Sequence, residues 1–168
     1  MANTAQVCPR FRVQSIWPLT VCLLIKESIQ MLSAKASCLC GAVKITANEI
    51  NPKFTVCHCN TCREWGGAPF FAVQCSTSVK IEGSDKVKLY DSSSWASRGF
   101  CNECGTHLFF KLKQSGEYNI AVDIFKNLAG LEMDMQYFSD QRPGYYCFSN
   151  KTKEMTKAEI MAYFSKVI

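Results

Sequence analysis

From Ser37 onward the chain alternates apolar and polar positions in short runs. Ala42 to Ala47 sets Val43 and Ile45 against Lys44 and Thr46, a period of two that predicts a strand with one buried face. The same pattern places strands at Pro69–Cys75, Val79–Glu82, Val87–Asp91, His107–Lys113 and Glu117–Val122. Turn-forming stretches separate them: Glu82-Gly83-Ser84-Asp85, and Gln114-Ser115-Gly116-Glu117, which predicts a hairpin. One helix is expected, at the C-terminal end. Thr156-Lys157-Ala158-Glu159 has the form of a capping box, and Met155 stands where a hydrophobic staple would pack on Ile160. Ile160, Phe164 and Val167 then recur at helical spacing. The pattern therefore predicts a mainly β domain whose C-terminal helix packs on the sheet. No internal repeat or low-complexity stretch interrupts it.

Residues 1–30 behave differently. No acid precedes Glu27, whereas Arg10, Arg12 and Lys26 are basic and a short apolar run follows the arginines. This segment is expected to be an N-terminal extension, either a presequence or upstream sequence, and 31–168 the working domain. A secretory signal would suit reduced thiols downstream poorly. The longest largely apolar run, Ile16 to Ile25, holds Pro18 and Thr20 and falls well short of the roughly 18–20 residues of a membrane span. No membrane-spanning protein is expected.

Composition sharpens this only slightly. A chain of 168 residues fits one domain, and 48% hydrophobic with 20% charged residues excludes a disordered one. The net charge of +5 dissolves on division. Residues 1–37 carry four bases and one acid, 38–150 carry eleven of each, and 151–168 carry four bases and two acids. The excess lies at the two ends, so the working domain offers no basic footprint for nucleic acid. A cytoplasmic protein without nucleic-acid or membrane partners is expected, with organelle targeting by residues 1–30 as the alternative.

The eleven cysteines change the picture most. An odd number cannot pair completely within one chain, and the chain is larger than the small secreted domains built on disulfides. Seven of them fall into three clusters: Cys38-Leu39-Cys40, Cys57-His58-Cys59-Asn60-Thr61-Cys62 and Cys101-Asn102-Glu103-Cys104. Thiols at such spacings can aim two sulfurs at one ion, as in zinc sites. Seven thiolates divide as four plus three. Four close a tetrahedron around a structural zinc, whereas three leave a position for water or a substrate atom. The two bidentate clusters can each donate a pair to one metal, and the three-sulfur run can supply the other. Iron remains open on the same ligands. Gly41 and Gly105, after the first and last clusters, allow tight turns around a metal. Cys75 and Cys147, beside apolar or aromatic residues, read as buried hydrophobes. Cys8 and Cys22 belong to the N-terminal segment.

The motifs Ser37-Cys38-Leu39-Cys40-Gly41-Ala42-Val43, Cys57-His58-Cys59-Asn60-Thr61-Cys62-Arg63 and Arg98-Gly99-Phe100-Cys101-Asn102-Glu103-Cys104-Gly105-Thr106 resemble the glutathione-dependent formaldehyde-activating enzyme family. The resemblance runs from about Met31 to the C-terminus. It implies several short coiled antiparallel β-sheets organised around two zinc ions. By the same resemblance Cys38, Cys40, Cys101 and Cys104 would hold a structural zinc, and Cys57, Cys59 and Cys62 a catalytic one. The activity implied is condensation of formaldehyde with glutathione to S-hydroxymethylglutathione, a carbon–sulfur lyase reaction read in reverse.

The chemistry also follows from the residues. A free thiol is mostly protonated at neutral pH, and a metal with an open position would ionise a bound one. Three thiolates already make such a centre electron-rich, so delivery of a thiol suits it better than polarising a carbonyl. Several neighbours are candidates to assist. His58 could shuttle a proton but reads better as a residue that holds its neighbours. His107 reads as packing. Arg63 and Arg98 could hold a glutathione carboxylate or offset thiolate charge. Gly66-Gly67-Ala68-Pro69-Phe70-Phe71 could let a peptide-like ligand approach the backbone, or simply turn into a strand. Trp65 and Trp95 could line a pocket, though core packing is the commoner role. The competing reading is a non-catalytic zinc module, expected if Cys75 or His58 closes the three-thiol site. A redox role is disfavoured because no βαβ pattern accompanies the C-x2-C pair.

Overall fold

A computed structural model describes residues 30–164, and side chains as far as Tyr163. The expectations for residues 1–29, with Cys8 and Cys22, and for the side chains of Phe164 and Val167 lie outside the described residues. Six strands fall close to their expected places: β2 (Lys44–Ile50), β4 (Phe70–Cys75), β5 (Val79–Glu82), β6 (Val87–Asp91), β8 (His107–Leu112) and β9 (Tyr118–Ala121). Five more were not legible: β1 (Leu32–Ser37), β3 (Lys53–Cys57), β7 (Ala96–Cys101), β10 (Glu132–Tyr137) and β11 (Lys153–Met155). A short helix α1 (Asn60–Gly66) and the expected C-terminal helix α2 (Lys157–Phe164) complete the described elements. The class is mainly β with a closing helix, as the pattern predicted.

The strands join in one network rather than in separate sheets. Its main path runs β11-β10-β3-β4-β9-β8-β7-β6, and β2 joins it at Ile50 opposite Cys75 while pairing with β1 and β5. Most ladders are antiparallel. The expected antiparallel pairing holds except at two ladders, since β10 runs parallel to both β3 and β11. Period-two alternation identifies a buried face but carries no information on the direction of a partner remote in sequence.

Two apolar clusters organise the interior. The larger contains Val43, Ile45, Ile50, Val73, Leu108 and Ile120, together with Cys38, Cys75 and Cys101. The smaller is formed by Cys62, Phe70 and Ala72, with Cys57, Cys59 and Phe110 packed on it. Each thus includes sulfurs of one of the two expected cysteine sets. Cys75 is buried as expected, whereas Cys147 is exposed and the expectation of a buried hydrophobe is corrected. Its neighbour Tyr145 is 82% exposed, so an adjacent aromatic did not mark a core position.

The C-terminal helix starts as the capping box predicts. The Thr156 N–H donates to Glu159 Oε2 at 2.7 Å, and the Glu159 N–H donates to Thr156 Oγ1 at 3.3 Å. Ile160 faces inward at 3% exposure. The Lys157 N–H donates to Asp140 Oδ1 at 2.8 Å, tying the helix start to the turn after β10. Among the described residues no helix is long and apolar enough to cross a membrane.

Candidate metal centres

The first cysteine set is built by two facing turns. After β1 the chain reverses through Cys38 to Val43, with the Gly41 N–H donating to Cys38 O at 3.1 Å and Gly41 left-handed at φ 79°. At the end of β7 the Gly105 N–H donates to Cys101 O at 2.9 Å, and Gly105 is left-handed at φ 73°. A positive φ is cheap for glycine alone, so both turns close because those residues are glycines. The Leu39 N–H donates to Thr106 Oγ1 at 3.1 Å, fixing one turn against the other. Cys38, Cys40, Cys101 and Cys104 then place their sulfurs within 4.8 Å of one another.

The second set lies on one continuous loop. Cys57 ends β3, held between Phe70 of β4 and Tyr137 of β10. Cys59 is the N-cap of α1, its sulfur accepting from the Cys62 N–H at 3.4 Å, and Cys62 is buried in the first turn. A thiol cap explains why α1 was not foreseen: its seven residues have no apolar period, and the sulfur cluster supports it instead. Cys57, Cys59 and Cys62 also lie with all three sulfurs within 4.8 Å of one another.

Both sets suit a tetrahedral ion. Zinc at about 2.3 Å from each of four sulfurs separates them by roughly 3.8 Å. Cys38 and Cys40 sulfurs are 3.5 Å apart, and Cys40 and Cys101 sulfurs 3.8 Å. All seven thiols are free rather than paired as disulfides. Polar hydrogens are aimed at the sulfurs as ionised thiolates require: the Val43 N–H reaches Cys38 at 3.2 Å, and the Arg98 Nη2–H reaches Cys62 at 3.4 Å. Thr106 Oγ1 lies 3.1 Å from the Cys104 sulfur, and its hydrogen bond holds that thiol down to about 5. In the three-thiol set, hydrogen bonds from Cys57 and then Cys62 pull Cys59 down to about 2, while the same bond drives Cys57 far upward. Three sulfurs this close cannot all ionise unless a cation joins them. Cys75 stands apart in the main core, where burial pushes its thiol up to about 12.

The remaining candidates sort by contact. His58 is fully buried, with Nε2 2.9 Å from Gln136 Oε1 and Nδ1 2.8 Å from the Tyr146 hydroxyl. Burial holds its pKa below the ordinary value. Neither ring nitrogen points to the thiols, and neither Cys75 nor His58 completes the three-sulfur set. His107 packs as expected, stacking on Trp65 at 4.7 Å between ring centres. Trp65 also stacks on Tyr90, whereas Trp95 is 54% exposed and touches Phe110 edge-on. Arg98 is 5% exposed, lies over the Phe110 ring, and has its buried Nε without a partner among the described residues. Arg63 donates from Nε to His58 O at 3.0 Å and from Nη2 to Asn60 Oδ1.

A cavity of about 300 Å³ opens beside α1, between Arg63 and Glu64, the turn at Gly67, Ala68 and Pro69, and Tyr145 with Tyr146. Gly67 caps the helix at φ 70° and has open space where a Cβ would stand, so the backbone there is approachable. Residues that sequence reasoning missed are Gln136, Arg142, Tyr146, Thr152 and Glu154, which meet around His58. Nothing local marks them, because the contacts span up to 88 positions.

A β scaffold with two separate sets of cysteines, each able to hold a metal ion, defines a metal–thiol class of protein. Residues 33–141 match the glutathione-dependent formaldehyde-activating enzyme family, and the chain belongs to it. A Schizosaccharomyces pombe protein named an uncharacterized lyase is 38% identical over 128 residues, which span 76% of this chain and 93% of that one. A crystal structure of a Rhodobacter sphaeroides protein is similar at 26% identity and a TM-score of 0.49, covering 56% of this chain and 89% of its own.

Proposed function

We propose that this protein is a zinc-dependent carbon–sulfur lyase acting on adducts between a thiol and a small aldehyde, glutathione and formaldehyde being the pair that its family names. The observation that carries the reading is the incomplete sulfur set: Cys57, Cys59 and Cys62 gather three sulfurs, and neither Cys75 nor His58 joins them as a fourth ligand. Zinc held there would offer its remaining position to a thiol and ionise it. Cys38, Cys40, Cys101 and Cys104 would hold a second, structural zinc with every position filled. The seven clustered free thiols support a reducing, cytoplasmic setting.

The residues around the three-thiol set have separable tasks. Arg98 donates to Cys62 and places a buried positive charge against the cluster, offsetting the negative charge that three thiolates bring. Arg63 and the open backbone at Gly67 face the neighbouring cavity, where a guanidinium suits the carboxylate of a peptide-like thiol and the glycine leaves room for its main chain. In the forward direction a thiolate sulfur attacks the aldehyde carbon. One carbon–sulfur bond forms, the carbonyl π pair moves to oxygen, and a proton from water completes the hydroxyl; the reverse reaction breaks the same bond.

Metal analysis of the purified full chain, beside an NMR titration with glutathione and exchange spectroscopy on glutathione–formaldehyde mixtures, tests this. Two zincs per chain, glutathione shifts at Cys57–Cys62 and Arg63, and faster adduct exchange are expected. Two zincs with no shifts and no acceleration would leave a non-catalytic zinc module.

A further inference from the structure

His58 sits between two of the three clustered thiols, and every polar atom it has is engaged. Its N–H donates to Tyr137 O at 2.9 Å and its carbonyl accepts from Arg63 Nε at 3.0 Å. The ring contacts run to Gln136 Oε1 at 2.9 Å and the Tyr146 hydroxyl at 2.8 Å. The outer partners settle who donates. Gln136 Nε2 donates to Thr152 Oγ1 at 2.7 Å and to Glu154 Oε1 at 3.3 Å, so its Oε1 is the acceptor facing His58. That oxygen also receives Arg142 Nη1 at 2.9 Å, and Arg142 is paired with Glu154 at 3.0 Å. His58 therefore carries its hydrogen on Nε2, and its Nδ1 accepts from Tyr146.

We propose that the tail from Gln136 to Glu154 is part of the three-thiol site, with Gln136 and Tyr146 as positioning residues that act through His58. The inference rests on the proposed metal-holding role of Cys57, Cys59 and Cys62. A buried imidazole gripped at both nitrogens fixes the backbone of its residue, and that backbone sets the directions in which Cys57 and Cys59 aim their sulfurs. The grip comes from outside the loop, on β10, β11 and the segment between them. Arg142, Tyr146, Thr152 and Glu154 all lie beyond residues 33–141, so the family match does not account for them. Tyr146 has a second role that ties this network to the cavity beside α1, of which it forms a wall. Phe148 backs the arrangement, with its ring 5.9 Å from both His58 and Tyr146 between centres. One tyrosine thus links the cavity to the segment carrying the thiols.

The test uses the full zinc-loaded chain and Tyr146→Phe, which keeps the aromatic wall and removes only the hydrogen bond to Nδ1. Zinc transfer to a chromophoric chelator should show two phases, and loss of one of them in Cys59→Ser assigns it to the three-thiol site. In Tyr146→Phe that phase should accelerate by about tenfold, as for loss of an outer partner of a metal ligand, while the other phase and the melting temperature hold. Turnover of the adduct should fall with KM for glutathione within about twofold, since the cavity wall remains. Gln136→Met is the second variant, removing the Nε2 contact while preserving side-chain volume, and should accelerate the same phase. Unchanged phases in both variants, or equal acceleration of both phases, would overturn the positioning role. A wild-type protein that retains zinc in two phases but does not speed adduct exchange would instead sink the lyase reading and leave this one standing.

Discussion

Replacing Gly99 by alanine should loosen the strand that carries Arg98. Gly99 lies opposite Phe109 in the β7–β8 ladder, and the Phe109 ring covers it. A methyl built on Gly99 would stand 2.3 Å from Phe109 Cζ and 2.6 and 2.7 Å from the two Cε atoms. Carbon atoms in contact prefer about 3.5–4.0 Å, so the ring or the strand must retreat by roughly 1 Å. The ring has little room, being 3% exposed and packed edge-on against Tyr118 at 5.0 Å. Overpacking of this kind costs about 1–3 kcal/mol, against a gain of about 0.4–1 kcal/mol from the stiffer unfolded chain. The net expectation is about 1–2 kcal/mol of destabilisation, a fall of about 2–8 °C in melting temperature at this chain length. Differential scanning calorimetry on the zinc-loaded protein measures it. Phe109→Leu in the same background should recover about 1 kcal/mol of the penalty, because the two side chains compete for one space. A melting temperature that stays level or rises in Gly99→Ala, or penalties that simply add in the double variant, would refute the reasoning.

Other perturbations separate the two sulfur sets. Cys101→Ser removes a fully buried sulfur shared with the main core, and should cost the domain its cooperative unfolding transition, seen by circular dichroism; a folded variant with two zincs would contradict a structural site. Cys59→Ser should keep the fold, retain one zinc by elemental analysis and lose adduct turnover, whereas global unfolding would show the two sites reversed. Arg98→Met keeps the apolar stem and removes both the donor to Cys62 and the unpartnered Nε. Adduct turnover should fall about tenfold or more, for loss of a charge-assisted hydrogen bond of about 1.5–3 kcal/mol, with little change in melting temperature. Thr156→Ala breaks the capping box and should lower stability by about 1 kcal/mol in chemical denaturation while leaving turnover intact.

Local sequence carried much of this protein. Strands such as Lys44–Ile50 were legible because alternation reports a half-buried surface directly, and α2 because its capping groups are neighbours in the chain. The three cysteine clusters were legible for a related reason, since thiols two or three positions apart must share a neighbourhood whatever the fold does. Other elements were hidden by their own composition. In β7 the buried positions include Arg98 and Gly99, one held against a thiol and the other covered by a phenylalanine ring, so the strand does not read as apolar. In α1 the thiol cluster replaces the apolar stripe that would announce a helix.

Only the tertiary structure decided which distant groups meet. Cys38 and Cys40 were expected beside Cys101 and Cys104, but the Leu39-to-Thr106 bond that locks their two turns together spans 67 positions and had no local sign. The parallel placement of β10 beside β3 is what brings Gln136 to His58. Periodicity and spacing report contacts within a few residues, where chain geometry allows few alternatives. Contacts across the sheet depend on strand order and direction, which the whole buried surface selects together.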